Sequence, residues 1–373
     1  MKENKYTEED LRKMQAFPLD RKVLIAQTRI IEWITKNKGE VFVSFSGGKD
    51  STVLLNMVRQ VNPDIPAVFA NTGLEFPEIR KFANSFDNVI EIRPEMTFGN
   101  VLKTYGFPLI SKEISKAINL ARKEVAGSRS RRCLSNMCYY TSSHGTVEPS
   151  NFNCEKYREL AYLPIKISQE CCVVMKERPV HKWQTKNKKL PFLGTMASES
   201  SRRKRAWLQL GCNAFDADKP RSLPLSIWTE QDVLRYILEN NIDICSVYGD
   251  IVPVFSKTKK DAEQSPCLRC TGRQRTGCVF CLYGAHISGL GGKNRLTSLA
   301  ETHPRLYEYC MGGGEWIDNP DYDKSMSKYN KIDEWWLNWN PKKIWVPNRK
   351  GLGYKVMLDM VNSIYGKDFI PYE

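Results

Sequence analysis

The eight residues Ser44-Phe45-Ser46-Gly47-Gly48-Lys49-Asp50-Ser51 constrain this chain more than any other stretch. They follow the apolar run Val41-Phe42-Val43 and precede Thr52-Val53-Leu54-Leu55-Asn56-Met57-Val58. That pattern predicts a buried strand, a glycine turn and a helix. Two glycines let backbone N–H groups come close to a ligand, and the dipole of the following helix favours negative charge there. The turn therefore suits phosphate oxygens. Lys49 adds a point charge, Ser46 and Ser51 add hydroxyls, and Asp50 is placed to hold a magnesium ion or to orient the loop. Candidate nucleotide contacts are Ser44, Ser46, Gly47, Gly48, Lys49, Asp50 and Ser51. Lys49 and Asp50 are also candidate catalytic groups.

The common P-loop requires G-x-x-x-x-G-K-[ST]. Here Asp50 follows the lysine and Val43 stands where the first glycine belongs. The string Ser46-Gly47-Gly48-Lys49-Asp50-Ser51 instead resembles the pyrophosphate loop of the N-type ATP pyrophosphatases, a superfamily that includes phosphoadenosine phosphosulfate reductases, tRNA thiolases and GMP synthetase.

With 373 residues, the chain has room for one large domain or two ordinary ones. It has no run of 18 apolar residues, so no membrane span is expected. Its polar start, Met1-Lys2-Glu3-Asn4-Lys5, reads as neither a signal nor a transit peptide, so none is expected there. The expected location is the cytoplasm. Twelve cysteines in a reducing compartment point to metal, cluster or thiol chemistry rather than structural disulfides. A net charge of +14 favours anionic partners: nucleotides, sulfate esters or nucleic acid.

Apolar periodicity predicts helices over 7–16 and 20–38, a strand over 41–45, a helix over 50–60, a strand over 67–70, a helix over 77–85 and a strand over 89–93. Strands alternating with helices imply a parallel sheet, with ligands gathering at the carboxyl ends of its strands. The turn after the second strand, Asn71-Thr72-Gly73-Leu74-Glu75, lies at such an end. Thr72, Gly73 and Glu75 are candidate ribose or adenine contacts, and capping a helix is the other role open to Thr72. Phe192-Leu193-Gly194-Thr195 reads as a further strand with a glycine exit. The polar turn after it carries Arg202 and Arg203, candidate anion contacts. Leu225–Val233 reads as a strand end running into a helix capped by Thr229. Residues 122–163 read as an insertion or loop carrying Arg122, Lys123, Arg129, Arg131, Arg132, Cys133, Cys138, His144 and Cys154, at no standard metal spacing. Residues 252–274, with Lys257, Lys259 and Lys260, read as a loop. Residues 311–345 are rich in Gly, Trp and Tyr.

Two cysteine clusters stand out: the adjacent pair Cys171-Cys172, and Cys267-Leu-Arg-Cys270 followed by Cys278-Val-Phe-Cys281. Read locally, Cys267, Cys270, Cys278 and Cys281 form a zinc or iron–sulfur quartet. The rival grouping joins the adjacent pair to Cys278 and Cys281, giving four thiolates for a cubane.

Ser44–Ser51, Cys171-Cys172 with Lys176 and Pro179, Gly194-Thr195-Met196 with Glu199-Ser200, and Arg275-Thr276-Gly277-Cys278-x-x-Cys281 together resemble the phosphoadenosine phosphosulfate reductase family, more narrowly its bacterial and phage reductase-like branch. Glu301-Thr302-His303-Pro304 and Gly351-Leu352-Gly353 fit that branch too. The resemblance covers about 22–120, 165–250 and 275–360 and leaves 122–163, 252–273 and 311–345 as apparent insertions. It implies an α/β fold with a mostly parallel central sheet of the adenine nucleotide alpha-hydrolase type. A nucleotide-binding domain over 1–250 and a cysteine-rich, helical portion over 251–373 covering the nucleotide site are expected. It also implies a [4Fe-4S] cluster on Cys171, Cys172, Cys278 and Cys281, with Zn²⁺ on the local quartet as the alternative. The family's Glu-Cys-Gly-x-His tail motif has no counterpart after Cys310.

Three functions compete. The first is ATP-dependent sulfur transfer, in which Mg²⁺ and the loop hold the nucleotide, an acceptor is adenylated and then thiolated, and a protein supplies the sulfur. The second is reduction of a sulfonucleotide by a partner reductant, with Arg202, Arg203 and the candidate catalytic residue Arg275 around the sulfate. The third is a nucleic-acid-associated modification or defence module acting on tRNA or DNA. Basic runs at 122–132, 182–189 and 202–205 and exposed tryptophans at 335–345 would supply its contacts.

Overall fold

The computed structural model describes residues 4–123, 129–134, 139–141, 146–150, 153–255, 267–287, 293–324 and 339–372. The chain divides into two compact units, each built from two segments: Met1–Pro94 with Arg178–Cys278, and Glu95–Glu177 with Val279–Glu373. A boundary at residue 250 falls inside the first unit.

The first unit is α/β. Its sheet runs, strand by strand, Val89–Ile92, Ala67–Ala70, Val41–Phe45, Leu190–Leu193, Arg221–Ser222 and Asn213–Ala214. Every neighbouring pair is parallel except the last, at the edge. Val41–Phe45 is central, with Val43 opposite Ala67 on one side and Phe192 on the other. A strand buried on both faces reads as an apolar run rather than an alternation, which is what Val41-Phe42-Val43 is. The helix Lys49–Val61 follows it and buries Val53, Leu54, Leu55, Met57 and Val58. The helix Leu19–Lys36 packs Ala26, Ile30 and Trp33 into the same core.

The predicted capping by Thr229 is present: its hydroxyl accepts from the Asp232 N–H, and Asp232 accepts from the Thr229 N–H at the start of the helix Glu230–Glu239. Asp232 also pairs with Lys22 of the helix Leu19–Lys36 at 2.7 Å, both side chains being buried. The residues just before this cap, 224–227, form a turn rather than a strand end. Part of the expected loop over 252–274 is an antiparallel hairpin, Ile251–Val254 with Cys267–Cys270. Lys257, Lys259 and Lys260 lie outside the described residues.

The second unit contains the helices Phe98–Tyr105, Lys112–Lys123, Arg295–Thr302, Pro304–Met311 and Tyr354–Tyr365. Two short strands, Leu109–Ile110 and Leu282–Tyr283, pair in parallel, and Glu315–Asp318 pairs antiparallel with Lys343–Val346. Residues 122–163 are not a plain loop. Arg122 lies in the last turn of the helix Lys112–Lys123 and donates to the carbonyls of Ala161, Ile165, Leu160 and Leu163 at 2.7–3.2 Å. Its guanidinium lies over the ring of Trp339, 4.3 Å from the centroid. Burial draws the Arg122 pKa down to about 9, which leaves it charged at neutral pH. Arg122 thus gathers the segment 160–165 instead of offering a charge to a partner. Cys310 is fully buried in its helix, and burial pushes its thiol pKa well up.

Candidate functional site

The phosphate loop leaves the carboxyl end of the central strand, where parallel sheets gather ligands. Gly47 takes φ +68°, a conformation that favours glycine, and an added Cβ would meet Ile79 at 3.0 Å. The Ser46 hydroxyl shares a hydrogen bond with Ser51 at 3.0 Å. The Ser51 hydroxyl also donates to the Gly48 carbonyl at 2.9 Å. Ser44 sits in the strand itself, one residue from its end.

Lys49 opens the helix and is only 3% exposed. Its ammonium donates to the Gln274 carbonyl at 2.7 Å and pairs with Glu230 at 3.0 Å. Burial pulls the Lys49 pKa down, but Asp50, Glu230 and Tyr248 outweigh burial and hold it above its ordinary value. Asp50 is the counterpart. Burial raises its pKa and the nearby Glu199 and Glu230 carboxylates add to the rise, against Lys49 and Arg275. Asp50 Oδ1 is buried with no hydrogen-bond partner. A buried carboxylate oxygen with an unfilled acceptor position is suited to a cation or a ligand donor. The site is thus a cation and an acidic group at one helix start, with Arg275 exposed beside them.

The other expected nucleotide contacts are partly occupied. The Thr72 hydroxyl donates to Glu75 Oε1 at 2.8 Å, and the Thr72 N–H donates to Oε2 at 3.0 Å. Gly73, at φ +73°, donates its N–H to Asn71 Oδ1. This closes the turn on itself. Thr72 is not a helix cap, because the next helix, Pro77–Ala83, is preceded by Phe76. Arg202 is exposed, and Arg203 pairs with Glu199 one turn back. Lys204 pairs with Glu8, and Lys189 pairs with Glu40. Two of the basic runs therefore have charges already matched within the unit. Trp345 is buried and Trp339 donates to the Leu163 carbonyl, so neither is an exposed stacking platform. Trp335 and Trp336 lie outside the described residues.

Within the second unit, Cys171 and Cys172 end a short helical turn that continues into the π-helical turn Val173–Glu177. Their sulfurs are 4.0 Å apart. The contact with Cys171 draws the Cys172 pKa down to about 6 against burial, helped by Lys112 and Lys176. Burial raises the Cys281 thiol, which also feels Cys172, Lys176 and Arg295. Burial likewise raises Tyr283, and the nearby Cys171, Cys172 and Cys281 add to this. The strand pairing with Tyr283 ends at Ile110, held at φ +62°, a strained conformation for a β-branched residue. Cys278 is the last residue of the first unit. Among the described residues, no group of three or more His, Cys, Asp or Glu side chains stands ready to hold a metal ion.

The local quartet has a geometric obstacle. Cys267 and Cys270 are the two ends of one extended strand, with Cys267 exposed and Cys270 buried. Residues three apart in a strand point to opposite faces and lie about 10 Å apart, too far to share one metal ion from a turn. The buried Cys270 thiol is raised by burial and feels Lys49, Glu230 and Asp50. In the segment 129–154, Cys154 donates both its N–H and its thiol to the Cys133 carbonyl. Cys138 and His144 lie outside the described residues.

The sequence profile of the phosphoadenosine phosphosulfate reductase domain matches residues 40–106 and 131–281, more than half of the chain. The chain belongs to the phosphoadenosine phosphosulfate reductase family. The matched interval runs through 131–163 and 252–273, which the sequence alone sets apart as insertions. An adenosine 5′-phosphosulfate reductase of Bacillus cereus is 37% identical over 84 residues, 21% of this chain and 36% of that protein. A phosphoadenosine 5′-phosphosulfate reductase of Salmonella arizonae is 32% identical over 69 residues, 18% of this chain and 28% of that protein. The chain thus spans about a third or less of these curated relatives. The solved phosphoadenylyl-sulfate reductase of Candida auris, a phosphate complex, covers 65% of this chain and 92% of its own at 13% identity and a TM-score of 0.34.

Several residues of the candidate site escape sequence reasoning. Glu230 and Gln274 engage the Lys49 ammonium, and Tyr248 engages its amide. Thr276 lies inside the Arg275–Cys281 motif, so its neighbourhood was visible in the sequence. Tyr248 carries no sequence signal, because its place depends on how 246–250 folds onto the loop.

Proposed function

We propose that this chain is an adenine-nucleotide-dependent sulfur-handling enzyme, in which the loop Ser46–Ser51 binds the phosphates of ATP. An acceptor oxygen attacks the α-phosphorus, the bond to the bridging oxygen breaks, and pyrophosphate leaves. A sulfur nucleophile then displaces AMP. The observation that carries this reading is Asp50 Oδ1, buried and unpartnered beside Lys49 at the start of the helix. Its acceptor chemistry fits Mg²⁺ beside a polyphosphate, and Asp50 would hold that ion, which supplies charge neutralisation at the phosphates. Lys49 and the loop amides position the leaving group, and Arg275 adds positive charge beside the reacting phosphorus. The acceptor is a small molecule or a nucleic acid.

A second reading, reduction of a sulfonucleotide with a protein reductant, is favoured by the names of the relatives. In that case the loop and Arg275 face the phosphosulfate, and Arg202 and Arg203 extend the anion site. Product analysis separates the two. AMP plus pyrophosphate formed from ATP supports the first. Sulfite plus AMP formed from adenosine 5′-phosphosulfate and a dithiol replaces it with the second. Turnover of neither substrate overturns both.

The donor set Cys171, Cys172, Cys278 and Cys281 suits a [4Fe-4S] cluster in its chemistry: soft thiols, with Lys112 and Lys176 to offset the thiolate charge at Cys172. When bound, the cluster supplies electron transfer or sulfur carriage. Anaerobically purified protein is expected to contain about four irons per chain, the number in one such cluster. Cys171→Ala loses them and Cys267→Ala keeps them. A single zinc, lost in Cys267→Ala instead, assigns the metal to the local quartet and removes the cluster from this reading.

A further inference from the structure

The first backbone N–H groups of a helix have no partner within it and are the donors an anion would use. At this loop one of them is already taken. The Lys49 N–H donates to the Tyr248 hydroxyl oxygen at 3.2 Å. The same hydroxyl shares a hydrogen bond with Thr276 Oγ1 at 3.0 Å. The Lys49 ammonium, the other phosphate-seeking group, is held by the Gln274 carbonyl and Glu230. Its charge also sits over the Tyr248 ring, 5.5 Å from the centroid.

Two features make this contact a built one. The absence of a side chain at Gly48 gives the Tyr248 hydroxyl its room, since an added Cβ would stand 3.2 Å from Tyr248 Oη, closer than ordinary contact. The segments that carry these groups are also laced together. Gly272 N–H donates to the Tyr248 carbonyl at 2.8 Å, Arg273 N–H to the Val247 carbonyl at 2.9 Å, and Asp250 N–H to Thr271 Oγ1 at 2.9 Å. Gln274 Nε2 closes the turn on the Cys270 carbonyl at 2.6 Å. Tyr248 itself is 2% exposed, and burial keeps its phenol neutral.

An amide N–H has one hydrogen, so a phosphate oxygen and the phenol oxygen compete for it. We propose that Tyr248, Thr276 and the Gln274 carbonyl form an internal latch that occupies the anion position of the phosphate loop, and that nucleotide binds as this latch lets go. The inference rests on the proposed reading of Ser46–Ser51 as a phosphate site. It makes the paired segments 246–250 and 270–276 the part of the first unit that responds to ligand.

Tyr248→Phe tests it, because the ring that packs beneath Lys49 remains and only the competing oxygen is lost. Titrated calorimetrically with inorganic pyrophosphate and with ATP, this variant binds about three- to tenfold more tightly than wild type, the worth of one neutral hydrogen bond. Thr276→Val moves the affinity in the same direction by less, and decides the matter should Tyr248→Phe fail to fold. In the wild type, saturating pyrophosphate raises hydrogen exchange at 270–276. A folded Tyr248→Phe protein that binds no more tightly than wild type overturns the latch and leaves the phosphate site standing. If wild type, Tyr248→Phe and Thr276→Val all fail to bind, or if Lys49→Ala binds as wild type does, the phosphate site is lost and the latch with it.

Discussion

Lys49→Ala weakens binding of ATP and of inorganic pyrophosphate by about 10- to 100-fold, the expected worth of a charge-assisted hydrogen bond to a phosphate. The variant keeps its helix, and the loss in binding is read in the folded protein. Alanine is the best helix former, and the backbone N–H at this position is retained. Glu230, the carboxylate left behind, is 42% exposed, so water can solvate it. The Gln274 carbonyl and the buried Asp50 carboxylate do lose the ammonium beside them, so the thermal unfolding temperature of the variant falls below that of wild type while the protein still folds. Isothermal titration with both ligands, beside a calorimetric melt, reads the two quantities separately. Unchanged affinity in the folded variant removes the lysine from the phosphate site and the proposed function with it.

Arg122→Ala acts in the opposite sense, on stability. Four backbone carbonyls, those of Leu160, Ala161, Leu163 and Ile165, take hydrogen bonds from this one guanidinium. Removing it leaves several buried acceptors unfilled and exposes the face of Trp339. The expected loss is about 4 kcal/mol, in the range for breaking a buried charged network. Arg122→Lys restores only part of it, because an ammonium has three donors and no planar fork. Urea unfolding followed by tryptophan fluorescence measures both variants. A loss below about 1 kcal/mol for Arg122→Ala, the level of an ordinary surface substitution, contradicts this role.

The parts of the fold legible in the sequence are those whose signal is local. The strand over 41–45, its glycine turn and the helix after it all announce themselves within about twenty residues, and strand, turn and helix agree. The cap at Thr229 is also local, since Thr229 and Asp232 are three residues apart. What stayed hidden depends on partners distant in the chain. Arg122 read as one of several basic residues because its carbonyl partners lie some forty positions on. Cys267 and Cys270 have metal-knuckle spacing, yet pairing with Ile251–Val254 draws them into an extended strand and turns them apart. The candidate site divides in the same way. Lys49 and Asp50 were readable from the loop, whereas Glu230, Tyr248 and Gln274 reach Lys49 only through tertiary packing.

The first unit is written in two pieces, Met1–Pro94 and Arg178–Cys278, with one half of the second unit between them. The central strand Val41–Phe45 has Ala67–Ala70 on one side early in synthesis, but its other neighbour is Leu190–Leu193. At translation rates of about 5–20 residues per second, the apolar edge of Val41–Phe45 waits on the order of ten seconds for that neighbour. An unpaired, hydrophobic strand edge is a template for wrong pairing. The nascent chain is therefore at its most vulnerable while Glu95–Glu177 is being made. Slowing the ribosome within that stretch raises the aggregated fraction without altering the finished protein.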